Sequence, residues 1–511
     1  MNYSDPIEVA REAGKRTHHF HGGLRLKHNK RISCQVPVER PPLPEVLVVP
    51  LLQHIGEIAE PLVDAGDHVL KGQVIGHCES CTAIHAPTSG IVEAVEDRLM
   101  THTSGLPGPC VVIRTDGKDQ WAALKPLRDK QDSDPDLLIA QLRDCGIAGL
   151  GGAVFPTYIK SLDGRARKIH TLILNGAECE PYISCDEMLM REQPDKIVLG
   201  ARILRHALGA DRVVIAIEDQ MGAVFVALNY AAESAECKTI TVVKVTTIYP
   251  EGGERQLIKV LTGLEVPAGG RPSDLGLVCQ NVGTAAAAAD AVGEGKPLIE
   301  RYVTVTGNGV SQPRNLLALI GTPFSHLVSF CGGYTQDVAR LVVGGPVMGY
   351  PVASDATPVV KAVNCILALS HADIATPQEE MPCIRCGECA RVCPAELLPQ
   401  QLHMQIKNGR WDDAIEYGLE ACIECGCCDL VCPSHIPLVD WFRYGKDELR
   451  QQAIETRATD LARERFEARE DRLLRKKQER AEKMARRKQM LMARADAKAK
   501  DTGTNGNTTD A

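Results

Sequence analysis

Residues 383–394 read Cys383-Ile-Arg-Cys386-Gly-Glu-Cys389-Ala-Arg-Val-Cys393-Pro394, and residues 422–433 repeat the form as Cys422-Ile-Glu-Cys425-Gly-Cys-Cys428-Asp-Leu-Val-Cys432-Pro433. Together they hold nine of the chain's twenty cysteines. Three thiolates on a tight loop can face three irons of a [4Fe–4S] cube, while a fourth, behind a helical turn and before a proline, is carried to the other cube. The spacing therefore assigns Cys383, Cys386, Cys389 and Cys432 to one cluster, and Cys422, Cys425, Cys428 and Cys393 to a second. Structural zinc usually takes its four thiolates as two separated Cys-x2-Cys pairs, which two consecutive four-cysteine runs fit poorly. Cys427 interrupts the second run; the spacing makes Cys428 the ligand and leaves Cys427 as a small apolar side chain.

At 511 residues the chain has room for roughly three or four domains. Its 44% apolar and 24% charged residues are ordinary for a soluble protein. No run of about 18 apolar residues occurs, which excludes a spanning helix. Charges near the N-terminus stand where a signal peptide needs an apolar stretch, and abundant free cysteine suits a reducing compartment, so a cytoplasmic chain is expected. The formal charge of −8 is uneven: residues 446–500 carry 18 Lys/Arg against 11 Asp/Glu, a net +7, against −15 for the rest. No nucleic acid is expected as a partner.

The expected organisation is multidomain α/β with small all-β modules. Residues 1–130 hold an N-terminal region and, between Pro50 and Val95, short apolar pieces broken by glycine. Residues 131–298 alternate strand and helix, with strands at Lys168–Leu174, Arg212–Ile217 and Thr239–Val245 and helices at Asp195–Leu208 and Gly222–Ala235. That alternation implies a largely parallel sheet with ligand sites at strand C-termini. Residues 299–352 return to short strands, residues 353–445 form the helical two-cluster domain, residues 446–500 form a long charged helix and residues 501–511 are expected to be disordered. Cys78 and Cys81 are expected as two hairpin thiols.

Two loops in residues 131–298 carry candidate ligand groups. In Gly149-Leu-Gly151-Gly152-Ala-Val-Phe-Pro-Thr157, followed by Lys160, glycines would let the backbone N–H groups approach a phosphate. It is neither the G-x-G-x-x-G fingerprint nor a Walker loop. Asn175-Gly-Ala-Glu178-Cys-Glu180-Pro181 follows a strand directly, where a doubly wound sheet places ligand contacts.

These loops resemble the flavin-mononucleotide loop and the Asn-Ala-Asp-Glu-Ser-Glu-Pro segment of the NADH-binding flavoprotein subunit of respiratory complex I. Tyr249-x2-Gly252-Gly253-Glu254 resembles its Tyr-x-x-Gly-Glu-Glu, and Asn281-Val282-x-Thr284 its Asn-Val-Glu-Thr. Ala86-Pro87-x2-Gly90 resembles the late strand of a biotinyl/lipoyl-type hammerhead, with no lysine placed for a swinging arm. Residues 301–350 resemble a β-grasp module. The whole of residues 15–445, from Phe20-x-Gly-Gly through the doubled cluster motif, is similar to the RnfC (RsxC) family of the ion-translocating Rnf complex.

The resemblance implies FMN, two [4Fe–4S] clusters and NADH as substrate. Gly149, Gly151 and Gly152 would cradle the flavin phosphate with Lys160 as counter-charge. Asn175, Glu178, Glu180, Asn281 and Thr284 would address the rest of the cofactor. It further implies a peripheral subunit on the cytoplasmic face of the bacterial inner membrane, partnered by integral membrane subunits and a ferredoxin-like subunit. Departures from the complex I pattern are Leu150, Val154, Ala177 and Gly253. Two alternatives share the module set: a cobalamin reductase of a bacterial microcompartment, and a non-catalytic iron–sulfur relay whose flavin loop is empty.

Overall fold

The computed structural model describes residues 9, 11–78, 82–129, 132–374 and 378–502. Residues 1–442 form one unit, and residues from Arg443 onward form another.

The N-terminal β module is built of β1 (Val46–Pro50), β2 (Glu60–Pro61), β3 (His68–Val69), β4 (Val74–His77), β5 (Ile84–His85), β6 (Gly90–Leu99) and β7 (Pro107–Thr115). Its larger sheet runs β1-β7-β6-β3, antiparallel throughout, beside a small β2-β4-β5 sheet. Leu47, Val49, Ile75, Ile84, Val92, Val111 and Ile113 bury a common core between them. Cys78 is disulfide-bonded, which corrects the expectation of a free hairpin thiol, and Cys81 lies outside the described residues.

The next module comprises α1 (Pro135–Asp144), α2 (Thr157–Ala166), β8 (Thr171–Gly176), α3 (Cys185–Glu192), α4 (Pro194–Leu208), β9 (Arg212–Glu218), α5 (Gly222–Ser234), β10 (Ile240–Val245), α6 (Glu254–Thr262), β11 (Leu277–Asn281) and α7 (Val282–Gly293). Its four strands are parallel in the order β10-β9-β8-β11. Successive strand residues point to opposite faces. Leu172, Leu174, Val213 and Ile215 accordingly pack under α4, α5 and α7, while Ile173, Val214 and Ala216 pack on the α6 side with Leu257 and Leu261. β8 starts at Thr171 and not at Lys168, because Lys168 is left-handed at φ 55°. Sequence reading missed β11, five residues long behind a left-handed Gly276.

The third module holds β12 (Glu300–Thr306), β13 (Arg314–Leu319), α8 (Phe324–Phe330), β14 (Val338–Val343), β15 (Tyr350–Val352) and β16 (Cys365–Ser370). The sheet order is β13-β12-β16-β14-β15, with β12 and β16 parallel at its centre. The central β16 carries this sheet past the expected boundary at residue 352. The cluster module has short helices α9 (Glu388–Arg391), α10 (Pro399–Lys407), α11 (Trp411–Glu416) and α12 (Cys427–Leu430), before α13 (Leu438–Thr502). The charged helix therefore begins before residue 446, and residues 503–511, expected to be disordered, lie outside the described residues.

The tightest helix contact decides the thickness of the parallel-sheet module. A Cβ at Gly200 on α4 would stand 1.8 Å from the Ala285 carbonyl oxygen of the alanine-rich α7. Backbone cannot yield there as a side chain would, so Gly200→Ala should separate the two helices and cost about 1–3 kcal/mol. The urea midpoint of the full chain measures this, and an unchanged midpoint would show that the α4–α7 spacing is soft.

Candidate functional site

In this sheet β8 is followed on one side by β9 and β10, while β11 is added on the other side. The C-terminal ends of β8 and β11 therefore flank the topological switch point, where an open parallel sheet holds its ligand. Asn175 and Asn281 are register partners at those ends. Asn175 donates from Nδ2 to the Gly252 carbonyl at 2.8 Å and accepts from the Ala177 N–H at 3.0 Å. Asn281 caps α7 by accepting from the Gly283 N–H at 2.7 Å and donates to Asp186 Oδ2 at 2.6 Å. Thr284 Oγ1 accepts from the Leu150 N–H at 2.9 Å, which ties the glycine loop to α7.

The loop closes on itself through the Gly149 N–H and the Phe155 carbonyl, 2.9 Å apart. A Cβ on Gly151 would come within 3.3 Å of Asn281 Cβ, so a larger residue there would push against the end of β11. Gly152 is left-handed with nothing near its missing Cβ. Val154, where the complex I loop has glycine, is also left-handed at φ 47°, an unusual conformation for a β-branched residue and a local store of strain. Lys160 projects from α2 and donates to Glu254 Oε1 and to the Cys279 carbonyl, both at 2.7 Å. It lies with Phe155, Glu254, Asp163 and Arg271 on a cavity of about 320 Å³.

The two glutamates of the second loop point elsewhere. Glu180 accepts from the Val347 and Met348 N–H groups at 2.7 and 3.0 Å, joining the parallel-sheet module to the β14–β15 loop. Glu178 is buried beneath the start of α3, accepting from the Asp186 and Glu187 N–H groups at 3.1 and 3.3 Å and from Cys185 Sγ. Burial pushes its carboxyl up to about 8, against the pull of Lys30. Sequence reading missed Lys30, which is 5% exposed and donates to the Glu178 carbonyl. Its Nζ lies 3.9 Å from Glu178 Oε2 and 3.6 Å from Glu218 Oε2. Burial works against that ammonium, but Glu178 and Glu218 together hold it above the ordinary lysine range. Nearby Glu251 is also pushed up to about 8 by burial and then by Glu218, and its Oε2 has no hydrogen-bond partner among the described residues. The available signal was a lysine ending the stretch Phe20–Lys30, yet nothing local indicated its burial.

The eight cysteines gather into two hollows. Cys383, Cys386, Cys389 and Cys432 line one; Cys393, Cys422, Cys425 and Cys428 line the other. The two runs share one backbone path, with left-handed Arg385, Gly387 and Glu396 matched by Glu424, Gly426 and His435. α9 and α12 then carry the fourth cysteine of each run across to the other hollow. Tetrahedral zinc with bonds of about 2.3 Å would draw four sulfurs to about 3.8 Å of one another. A four-iron cube spreads its four thiolates wider than that, with one cysteine on each iron. Cys383 and Cys386 are exposed, whereas Cys393, Cys425 and Cys428 are buried.

The buried set faces the parallel-sheet module. Tyr249 Oη donates to the Cys425 carbonyl at 2.5 Å, and Cys179, Tyr249, Cys425 and Cys427 share one apolar cluster. Cys427 thus packs as a small apolar side chain. The N-terminal arm closes the same junction, with His21 Nδ1 at 3.0 Å from the Cys393 carbonyl and the Gly23 N–H donating to the Val392 carbonyl.

Four family models match in the same order as the modules. They are the RnfC barrel sandwich hybrid domain over residues 18–118, the Nuo51 FMN-binding domain over 142–290, the SLBB domain over 302–351 and the 4Fe-4S dicluster domain over 382–436. The C subunit of the ion-translocating oxidoreductase complex of Pseudomonas aeruginosa is 46% identical over 90% of this chain and 59% of its own length. The proteins of the same name from Edwardsiella ictaluri and Haemophilus influenzae are 47% and 43% identical over 90% of this chain, covering 57% and 69% of their own lengths. The chain belongs to the RnfC family, the C subunits of ion-translocating oxidoreductase complexes. It spans about three fifths of the length of the first two of these relatives. A NAD+-reducing [NiFe]-hydrogenase structure matches at a TM-score of 0.43 and 21% identity, over 60% of this chain and 61% of that one.

As an RnfC-family chain, the protein carries an FMN-binding domain and a dicluster domain, and the electrostatics of the crevice between Lys30 and β9 are testable alone. Lys30→Met leaves Glu178 and Glu218 buried without their cation, a loss of about 3–5 kcal/mol at neutral pH. Without the ammonium both carboxyls are held further above their ordinary range, so the folded chain binds more protons than the unfolded one and stability falls as pH rises. The deficit of Lys30→Met should therefore shrink on acidification from about 8 toward 4.5. Urea midpoints across that range decide it, and a pH-independent deficit would contradict the assigned pairing.

Proposed function

We propose that this chain is the peripheral electron-transfer subunit of a membrane-bound complex that couples electron flow between NADH and a ferredoxin-type partner to ion translocation. One observation carries the reading: the buried cysteine set is packed directly on the parallel-sheet module that matches the FMN-binding family, through Tyr249 and Cys425. FMN supplies the conversion of a two-electron hydride into single electrons, which a cubane alone does not perform. The chain's own residues supply the rest.

Gly149, Gly151 and Gly152 offer a backbone cradle beside the switch point, and Lys160, now held by Glu254 and the Cys279 carbonyl, would supply the counter-charge to a phosphate. Asn175, Asn281 and Thr284 hold the crevice walls in register. Glu178 and Glu180 act one step back, the first as a buried acid beside Lys30 and the second as the clasp onto the β14–β15 loop. Cys393, Cys422, Cys425 and Cys428 form the inner cluster site, and Cys383, Cys386, Cys389 and Cys432 the outer one. The partners on this reading are integral membrane subunits and a ferredoxin-like subunit that meets the exposed outer set. The chain sits on the cytoplasmic face of the membrane.

The crossed ligation and the inner-to-outer order are tested together. The reconstituted chain should hold about eight iron and eight sulfide. Cys393→Ala should remove the inner cluster's signal. NADH should then still bleach the flavin but fail to reduce the outer cluster, which dithionite reduces. Cys386→Ala should damage the outer cluster and leave NADH-dependent reduction of the inner one intact. Stopped-flow absorbance with EPR reads both, and reduction of the outer cluster by NADH at the unmodified rate in Cys393→Ala would overturn the order.

A further inference from the structure

The helix α13 changes character along its length. Residues 446–471 carry 6 Lys/Arg against 8 Asp/Glu, whereas residues 472–500 carry 12 against 3. Large apolar side chains stay exposed in the basic half, including Leu473, Leu474, Met484, Leu491 and Met492. At about 100° per residue, these five and Ala481 fall within an arc of roughly 100°. Arg472, Arg475, Lys476, Lys483, Arg486 and Arg487 occupy the opposite side, and Met490 is the large apolar residue outside the stripe. The apolar stripe thus coincides with the stretch of strongest positive charge.

Among the described residues no helix is long and apolar enough to cross a membrane. We infer that residues 472–498 lie along an anionic lipid surface, with the Leu473–Met492 stripe turned into the headgroup layer and the arginines and lysines at the phosphates. Helices of this composition, with a basic face opposed to a narrow apolar one, bind in the interface plane without spanning. Two residues favour lipid over a second helix as the occupant. Lys477 and Lys488 fall inside the apolar arc. Their ammonium groups would be left dry and unpaired in a helix–helix seam, whereas at a lipid surface their stems can lie on the apolar layer and their heads reach the phosphates. The net positive charge of the segment likewise disfavours pairing with a second copy of itself and favours an anionic surface. This inference goes beyond the electron-transfer reading and does not depend on it.

The test uses the full chain with its clusters reconstituted and sedimentation with lipid vesicles. Unmodified protein should bind vesicles of phosphatidylethanolamine and phosphatidylglycerol at least tenfold more tightly than vesicles of phosphatidylcholine, and should lose that preference in high salt. Leu473→Gln combined with Leu491→Gln keeps charge and helix propensity and should weaken binding to the anionic vesicles at least tenfold. Arg486→Gln with Arg487→Gln should do the same without touching the stripe. Cluster absorbance and NADH-dependent reduction should be unchanged in both variants, so a failure of the electron-transfer reading would show separately. Equal binding by the stripe variant and the unmodified chain would overturn the inference. So would stripe-dependent self-association in analytical ultracentrifugation without vesicle binding, which would assign the stripe to a second helix. Absence of both kinds of binding would leave a solvated helix and overturn it as well.

Discussion

On the proposed reading, electron exchange between buried centres requires that they be held close and still, and the contact between Tyr249 and the Cys425 backbone meets that requirement. Three segments distant in sequence converge there: the Tyr249 loop, the arm around His21–Gly23 and the loop bearing Val347. The approach is backbone against backbone. A Cβ on Gly22 would lie 2.5 Å from the Val392 carbonyl carbon, so the arm can lie against the cysteine run only as glycine. The consequence is an inner site clamped to the parallel-sheet module, with Cys427 buried in the apolar cluster between them.

The same arm also delivers the only cation in contact with Glu178 and Glu218 among the described residues. Burying several carboxyls around one crevice is unfavourable in itself, and one ammonium among Glu178, Glu218 and Glu251 does not neutralise them all. Burial accordingly displaces Glu178 and Glu251 upward from the ordinary carboxylate range, Glu178 against the pull of Lys30 and Glu251 with Glu218 adding to the displacement. Val154 adds strain in the adjoining loop.

The legible part of the molecule was that governed by short-range rules. Cysteine spacing predicted two crossed sets, and the structure gathers the same residues into two hollows, because the spacing itself encodes the loop and the helical turn that carries Cys393 and Cys432 across. The alternation of strands and helices from Arg212 to Val245 was legible for the same reason. Lys30 was not, since its role depends on a fold that brings it against residues some 148 positions away. The placement of Glu178 and Glu180 was only half legible. Their position after β8 was readable, but the direction of each side chain is decided by α3 and by the β14–β15 loop, both placed by tertiary packing. β11 and β16 escaped because each is a short apolar segment whose partners are remote in sequence.

On the proposed reading, the matching backbone of the two cysteine runs bears on how electrons would move between them. Ligand type and spacing are the same in both sets, so any difference in potential must arise from surroundings, chiefly solvent exposure, local charge and hydrogen bonds. Those surroundings differ: Cys393, Cys425 and Cys428 are buried, Cys425 against Tyr249 and Cys179, while the outer set opens to solvent at Cys383 and Cys386, beside an exposed Ile384 and Met381. The crossover also ties each set to one residue of the opposite run, so neither loop can shift without disturbing both. Environment can thus be tuned separately at the two ends while the distance between them stays fixed. On the proposed reading this leaves the outer rim, apolar and exposed at Ile384 and Met381, as the place where a redox partner completes the path.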